Sequence, residues 1–212
     1  MFSKLYALVL FFIFVSFVYA SIPAVHFDYQ NSQIDVQELK KFQKTLISEE
    51  LTLYKDLQKY HHLDEQTRLL ISKYVPFYAI KYGVKMEILY SVLWRETRFK
   101  ADTTHKSIYI KSLKKTVNAK GIGGVVCEFW CSKLQAMNII ESESDLYNLV
   151  KGIEASAFIL SEYQNMPKLK NYTLEESMLH RYYGKPKDSY YKQILSKAEQ
   201  IRTDYFNLVS SI

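Results

Sequence analysis

The chain has 212 residues, of which 48% are hydrophobic and 24% charged, enough apolar content for one packed domain and too much for global disorder. Six glycines and four prolines are too few for the many tight turns of an all-β sandwich or barrel, or for the repeated strand–turn–helix units of a doubly wound α/β fold. The net charge of +6 would suit nucleic acid, anionic lipid or an acidic polymer, and without a block of positive residues it reads first as a solvated basic surface.

Residues 1–4 carry one positive charge and residues 5–20 carry none, ending in Val18-Tyr19-Ala20. This is the pattern of a secretory leader cleaved before Ser21. The other reading is an uncleaved anchor, because uncharged sequence runs on to Val25. Pro23 and the small Ala20-Ser21 pair favour cleavage, and serine at 21 argues against a lipoprotein. On either reading the folded part lies outside the cytoplasm, in the periplasm or cell envelope. Nucleic acid then becomes a poor partner and cell-wall polymer a good one; inner-membrane association follows if the leader is retained.

Residues 21–34 have no clear period. From Val36, apolar residues at 36, 39, 42, 46, 53 and 57 mark one helix face, with Asp35 and Glu38 as a capping pair. A second helix is predicted after Asp64, carrying Leu69, Leu70 and Tyr74, broken or kinked at Pro76 and ended by Gly83. The stretch from Met86 to Arg98 predicts a mostly buried helix with Ile88, Leu89, Val92 and Leu93 on its core face. Glu96, three and four residues beyond the last two, should border that apolar face. Residues 100–120 are polar and irregular, with an alternating piece at 107–110 that reads as a strand or flap. Gly121-Ile122-Gly123-Gly124 is a tight backbone segment. Helical pattern returns over 126–137, 146–163, 174–183 and 188–208.

The expected fold class is therefore all-α, divided into a leader (1–20), an N-terminal helical extension (21–65) and a main helical domain (66–212), with a small hairpin or flap near 100–120. Cys127 and Cys131 are the only cysteines. Their spacing leaves two readings open, a disulfide at a distorted helix start or two buried small apolar groups. With no histidine nearby they do not make a zinc site, and neither a metal nor a cofactor is expected.

Chemistry concentrates in Glu96-Thr97-Arg98-Phe99, Gly121-Ile122-Gly123-Gly124, Asn148-Leu149-Val150-Lys151-Gly152 and Tyr182-Tyr183-Gly184. A glutamate at the end of a buried helix has its carboxyl pKa raised by desolvation, which keeps a proton available for general-acid work near neutral pH. Glycines beside it let a bulky ligand approach the backbone. In this order the segments resemble the catalytic domain of soluble lytic transglycosylases, relatives of goose-type lysozyme. That family has a helix ending in Glu-Ser-x-Phe, a Gly-Leu-Met-Gln type segment, an Asn-Ile-x-x-Gly helix and a Tyr-Asn-x-Gly helix end. Here threonine replaces the serine, Gly124 stands where glutamine is usual, and the last motif is one residue short with tyrosine for asparagine. Tyr82-Gly83-Val84 is also similar to the segment before the family's catalytic helix.

The resemblance covers about residues 70–205. It implies a lysozyme-like fold and cleavage of the β-1,4 bond between N-acetylmuramic acid and N-acetylglucosamine in peptidoglycan, with 1,6-anhydro ends as product. It implies Glu96 as acid and then base, Tyr182 as the residue orienting it or the sugar, and Thr97, Gly121, Ile122, Gly123 and Gly124 as the lining of the saccharide groove. A lysozyme-type hydrolase would instead need a second carboxylate to activate water, with Asp102 and Glu128 the near candidates in sequence. A peptidoglycan-binding or assembly protein of the same fold is the non-enzymatic alternative. Lys111, Lys114, Lys115 and Lys120 flank the site in sequence and read as a solvated loop or as contacts for stem-peptide carboxylates.

Overall fold

The computed structural model describes residues 36–111, 114–184 and 188–211; the expected leader and the expected Asp35 cap fall outside them. The compact unit that begins at Phe42 carries the apolar core and the candidate site. The described part is mostly helical, as composition requires. Its elements are α1 (Val36–Leu57), α2 (Glu65–Tyr82), α3 (Met86–Thr97), two short hairpins, α4 (Cys127–Ala136), a 3₁₀ turn (Glu143–Tyr147), α5 (Leu149–Gln164), α6 (Leu174–Tyr183) and α7 (Asp188–Ser210).

Local chemistry sets the helix ends. Asp64 caps α2 by accepting from the Thr67 N–H at 2.7 Å. Gly83 closes the same helix in the left-handed region, φ 64°. Asn148 caps α5 by accepting from the N–H groups of Val150 and Lys151, both at 3.1 Å. Thr173 and Glu176 form a reciprocal capping box at the start of α6.

Of the break or kink expected at Pro76, the break does not occur, and α2 runs on through it to Tyr82. Rings at four-residue spacing, Tyr74 on Tyr78 and Tyr78 on Tyr82, stack along the helix across the proline. The helix also packs along its length on α5. Its buried face is Ile71, Val75, Tyr78 and Ala79, and Leu69 is exposed. The 146–163 helical pattern also resolves differently, into the 3₁₀ turn and then α5, with Asn148 at the junction.

Two apolar clusters make the core. The larger one joins Leu53 and Leu57 of α1 to Ile71, Leu89, Leu93, Ile153, Leu179 and Ile194. The helix expected as an extension therefore shares the main core through its C-terminal half. The smaller cluster holds Val125, Leu134, Ile140, Leu146 and Phe158. α5 serves both, sending Ile153, Ala157 and Leu160 to one and Ala155, Phe158 and Ile159 to the other. The 121–124 turn lies on the seam, with Ile122 in the larger cluster and the adjoining Val125 in the smaller.

One buried polar network ties α1, α3 and α7 together. Asp56, 2% exposed, accepts from Lys197 at 2.7 Å, Tyr90 at 2.7 Å and Lys59 at 2.8 Å. Burial alone would push the Asp56 carboxyl up, but these three donors outweigh it and hold the group below its ordinary range.

Candidate active site

Glu96 sits in the last turn of α3. Beyond it the chain turns sharply, with Arg98 (φ 54°) and Phe99 (φ 69°) both in the left-handed region. Two such residues in succession cost on the order of 1–2 kcal/mol each, offset by what the turn buries. Phe99 is 1% exposed and packs its ring on Tyr90 and Tyr60, at 4.8 and 5.3 Å between centroids. Arg98 lies 3.9 Å over the Trp94 ring, and its carbonyl meets His62 Nε2 at 2.9 Å.

Thr97 faces inward and is buried. Its hydroxyl donates to the Ile122 carbonyl at 3.0 Å, tying the end of α3 to the glycine turn. The Ile122 side chain has no exposed surface at all. Both residues, expected to line the saccharide groove, instead hold the corner that carries Glu96, and neither side chain faces outward.

The turn is set down by two short hairpins. β1 (Ile108–Ile110) pairs antiparallel with β2 (Lys115–Val117), matching the flap expected near 107–110. β3 (Ala119–Lys120) pairs with β4 (Val125–Val126), closing residues 121–124 between them. At Gly121 and Gly123 the turn packs too closely on the 3₁₀ turn and α5 for a side chain. A Cβ on Gly121 would lie 1.9 Å from the Leu146 carbonyl oxygen, and one on Gly123 would lie 1.8 Å from the Ser156 hydroxyl. Tyr182, at the end of α6, donates its hydroxyl to the Gly123 carbonyl at 2.8 Å. It thus fixes the turn, while its ring meets Tyr163 edge-on at 6.5 Å.

Gly124 is the position where the turn reaches Glu96. Its φ is 63°, and a Cβ there would lie 2.8 Å from Glu96 Oε2 and 3.2 Å from His105 Nε2. Glycine at this position therefore has a physical basis in this chain. Any side chain there would crowd the Glu96 carboxyl and press on the His105 ring, so both keep their places only against bare backbone.

Burial pushes the Glu96 carboxyl up to about 7, against the opposing pull of a Tyr190 hydrogen bond and the Arg95 charge. Tyr190, from α7, donates its hydroxyl to Glu96 Oε1. Its ring stacks on Tyr183 at 4.4 Å and carries the Arg95 guanidinium at 5.5 Å. A carboxyl with a pKa near 7 in this setting can give up a proton and take one back at neutral pH.

Sequence reasoning does not single out Tyr190 or His105. Tyr190 shares the buried face of α7 with Ile194 and Ile201, a period visible in the sequence, but nothing there ties that face to Glu96. His105 lies in the irregular 100–120 stretch and has no local signal. The structure pins it by backbone, its N–H donating to Ala119 O at 2.9 Å and its carbonyl accepting from Asn118 Nδ2 at 3.0 Å.

The remaining candidates fall around the site in sequence with other tasks. Glu128 ion-pairs with Lys115 at 3.0 Å, and Lys120 with Glu143 at 2.5 Å. Glu128, Lys120 and Glu143 border a polar hollow of about 380 Å³ that also includes Thr104 and Tyr147. Asp102 and Lys111 are exposed, as is Lys114. Cys127 and Cys131 form a disulfide across the first turn of α4, which settles the two readings left open by their spacing. Comparison with known proteins finds no matching family model, no matching curated protein and no matching solved structure.

Proposed function

We propose that the chain is a peptidoglycan lytic transglycosylase with a lysozyme-like fold, and that Glu96 is its acid and base. The observation that carries this reading is the geometry of Glu96, a buried carboxyl held by the Tyr190 hydroxyl and approached by side-chain-free backbone at Gly124, with burial lifting it to about 7. The order of motifs around it is the second support.

In this mechanism Glu96 is protonated at rest and gives its proton to the glycosidic oxygen as the bond to the muramic C1 breaks. The leaving N-acetylglucosamine keeps that proton as a hydroxyl. The muramic 6-hydroxyl then bonds to C1, and its proton returns to the Glu96 carboxylate. The anhydro ring closes and no water is consumed. One group with a pKa near neutrality suits both halves of this cycle, since it is neither too weak an acid for the first nor too weak a base for the second. Tyr190 holds one carboxyl oxygen and leaves Oε2 toward the Gly124 side.

The leader, the disulfide and the basic charge support an exported protein acting in the periplasm or envelope on an anionic wall polymer. Digestion of purified sacculi by wild type and Glu96→Gln tests the reading. Release of soluble muropeptides by the first and not the second is expected. Release of reducing ends instead of anhydro ends would indicate the hydrolase, and a biological effect that survives Glu96→Gln would indicate a binding or assembly protein.

A further inference from the structure

Polar groups link α3 and α7 at two places. At the first, Tyr190 near the start of α7 donates its hydroxyl to Glu96 near the end of α3. At the second, about two turns further along α7, Lys197 donates to Asp56 Oδ2 at 2.7 Å, and Tyr90 of α3 donates to the same oxygen at 2.7 Å. The order of these contacts along the chain makes the two helices antiparallel. Asp56, Tyr90 and Lys197 are all buried, and the Lys197 ammonium lies 5.9 Å from the centre of each of the Tyr60, Tyr90 and Trp94 rings. The proton cycle of Glu96 uses none of these groups. A buried ion pair adds little stability over apolar residues of the same size, and its best-attested use is to fix how packed elements register.

Ile194, which lies between the two places on α7, and Ala198 and Ile201 beyond them are apolar members of the larger core. Apolar burial is non-directional, so it tolerates a small slide of one helix along another. A hydroxyl donating to one carboxyl oxygen does not, because a hydrogen bond weakens steeply away from its ordinary distance and angle. We propose that the Asp56–Lys197–Tyr90 network sets the register of α7 on α3 that brings the Tyr190 hydroxyl onto Glu96, so that these three are positioning residues for the acid. That Glu96 works as an acid rests on the transglycosylase reading; the register does not. The other groups facing Glu96 are Arg95 from its own helix, Tyr182 from α6 and His105 beside the glycine turn. Only Tyr190 rides on the helix that Lys197 holds, and the Arg95 guanidinium lies over its ring.

The test replaces the network by apolar groups of similar size, Asp56→Leu, Lys197→Met and Tyr90→Phe together, and sets this triple variant beside Tyr190→Phe and the combination of the two. Thermal melting checks folding, and the triple variant should melt at or above the wild-type temperature. The Glu96 carboxyl is then titrated in each folded protein by carbon NMR with isotope-labelled glutamate, its signal identified by its absence in Glu96→Gln. The Tyr190 hydrogen bond favours the charged carboxyl, so slipping it should lower the Glu96 dissociation constant, about fivefold in the triple variant as in Tyr190→Phe. The combination should lower it no further than Tyr190→Phe alone, since both remove one contact. If the triple variant does not fold, Tyr90→Phe takes its place and should shift the titration the same way by a smaller factor. An unmoved titration in whichever variant stands, or shifts that add when it is combined with Tyr190→Phe, would overturn the proposal while leaving the role of Glu96 intact. On sacculi the alkaline limb of the rate should follow the titration upward. A wild-type protein that releases nothing would overturn the transglycosylase reading, while the titration still decides the register.

Discussion

Replacing Glu96 by glutamine should make the protein more stable at alkaline pH, and the size of the gain follows from the site. In the unfolded chain a glutamate loses its proton near 4.5, whereas in the folded protein burial delays this to about 7. Between these values the folded state binds more protons than the unfolded one, so stability falls as pH rises through that window and levels off above it. The shift corresponds to about 3 kcal/mol of folding free energy lost by wild type on going from acid to alkaline pH. Glutamine keeps an oxygen to accept from the Tyr190 hydroxyl and has no proton to lose. Glu49 is also lifted to about 7, by its burial and by Glu87 and Glu50, but it is present in both proteins and cancels in their difference. Urea unfolding of wild type and Glu96→Gln at about pH 4.5 and about pH 8 reads the effect. The glutamine variant should gain about 3 kcal/mol relative to wild type between the two conditions. A difference between the proteins that does not change with pH would refute the burial argument, whatever the protein's activity.

Gly124→Ala should cost about 1–2 kcal/mol of stability for a left-handed non-glycine residue. It should also lower kcat about a hundredfold by pushing the Glu96 carboxyl aside, which melting and sacculus digestion would show separately. Tyr190→Phe removes the hydrogen bond that opposes burial at Glu96, so the alkaline limb of the pH–rate profile, expected near pH 7 in wild type, should move upward. A limb that stays in place would detach Tyr190 from the acid. Reducing the Cys127–Cys131 disulfide removes a constraint on a very short loop, and unfolding with and without reductant should differ by about 2 kcal/mol or less.

Much of the helical framework is legible in the sequence because its signals are local. Residues 36, 39, 42, 46, 53 and 57 show their period directly, and Gly83 and Gly184 stand just past helix ends in the left-handed region. The positions of Val92 and Leu93 alone place Glu96 at the border of the apolar face. The helix continues through Pro76 because proline's local cost is offset by a stacked tyrosine ladder and by packing on α5, and the second of these is not visible within the helix itself. The motif residues Thr97 and Ile122 are readable as belonging together, since they do meet, but whether a residue braces a site or lines it depends on which way it points. Tyr190 is separated from Glu96 by 94 residues, and His105 is brought to the site by backbone contacts to Ala119 and Asn118 just before the turn. Contacts of that range leave no mark in the spacing of one chain.

The chemistry itself is decided by the masses of the soluble products when purified protein acts on sacculi. Wild type should release muropeptides ending in 1,6-anhydro-muramic acid, one water lighter than the corresponding reducing ends, and Glu96→Gln should release none. Products with reducing ends, or equal release by the two proteins, would contradict an internal-hydroxyl mechanism run by Glu96.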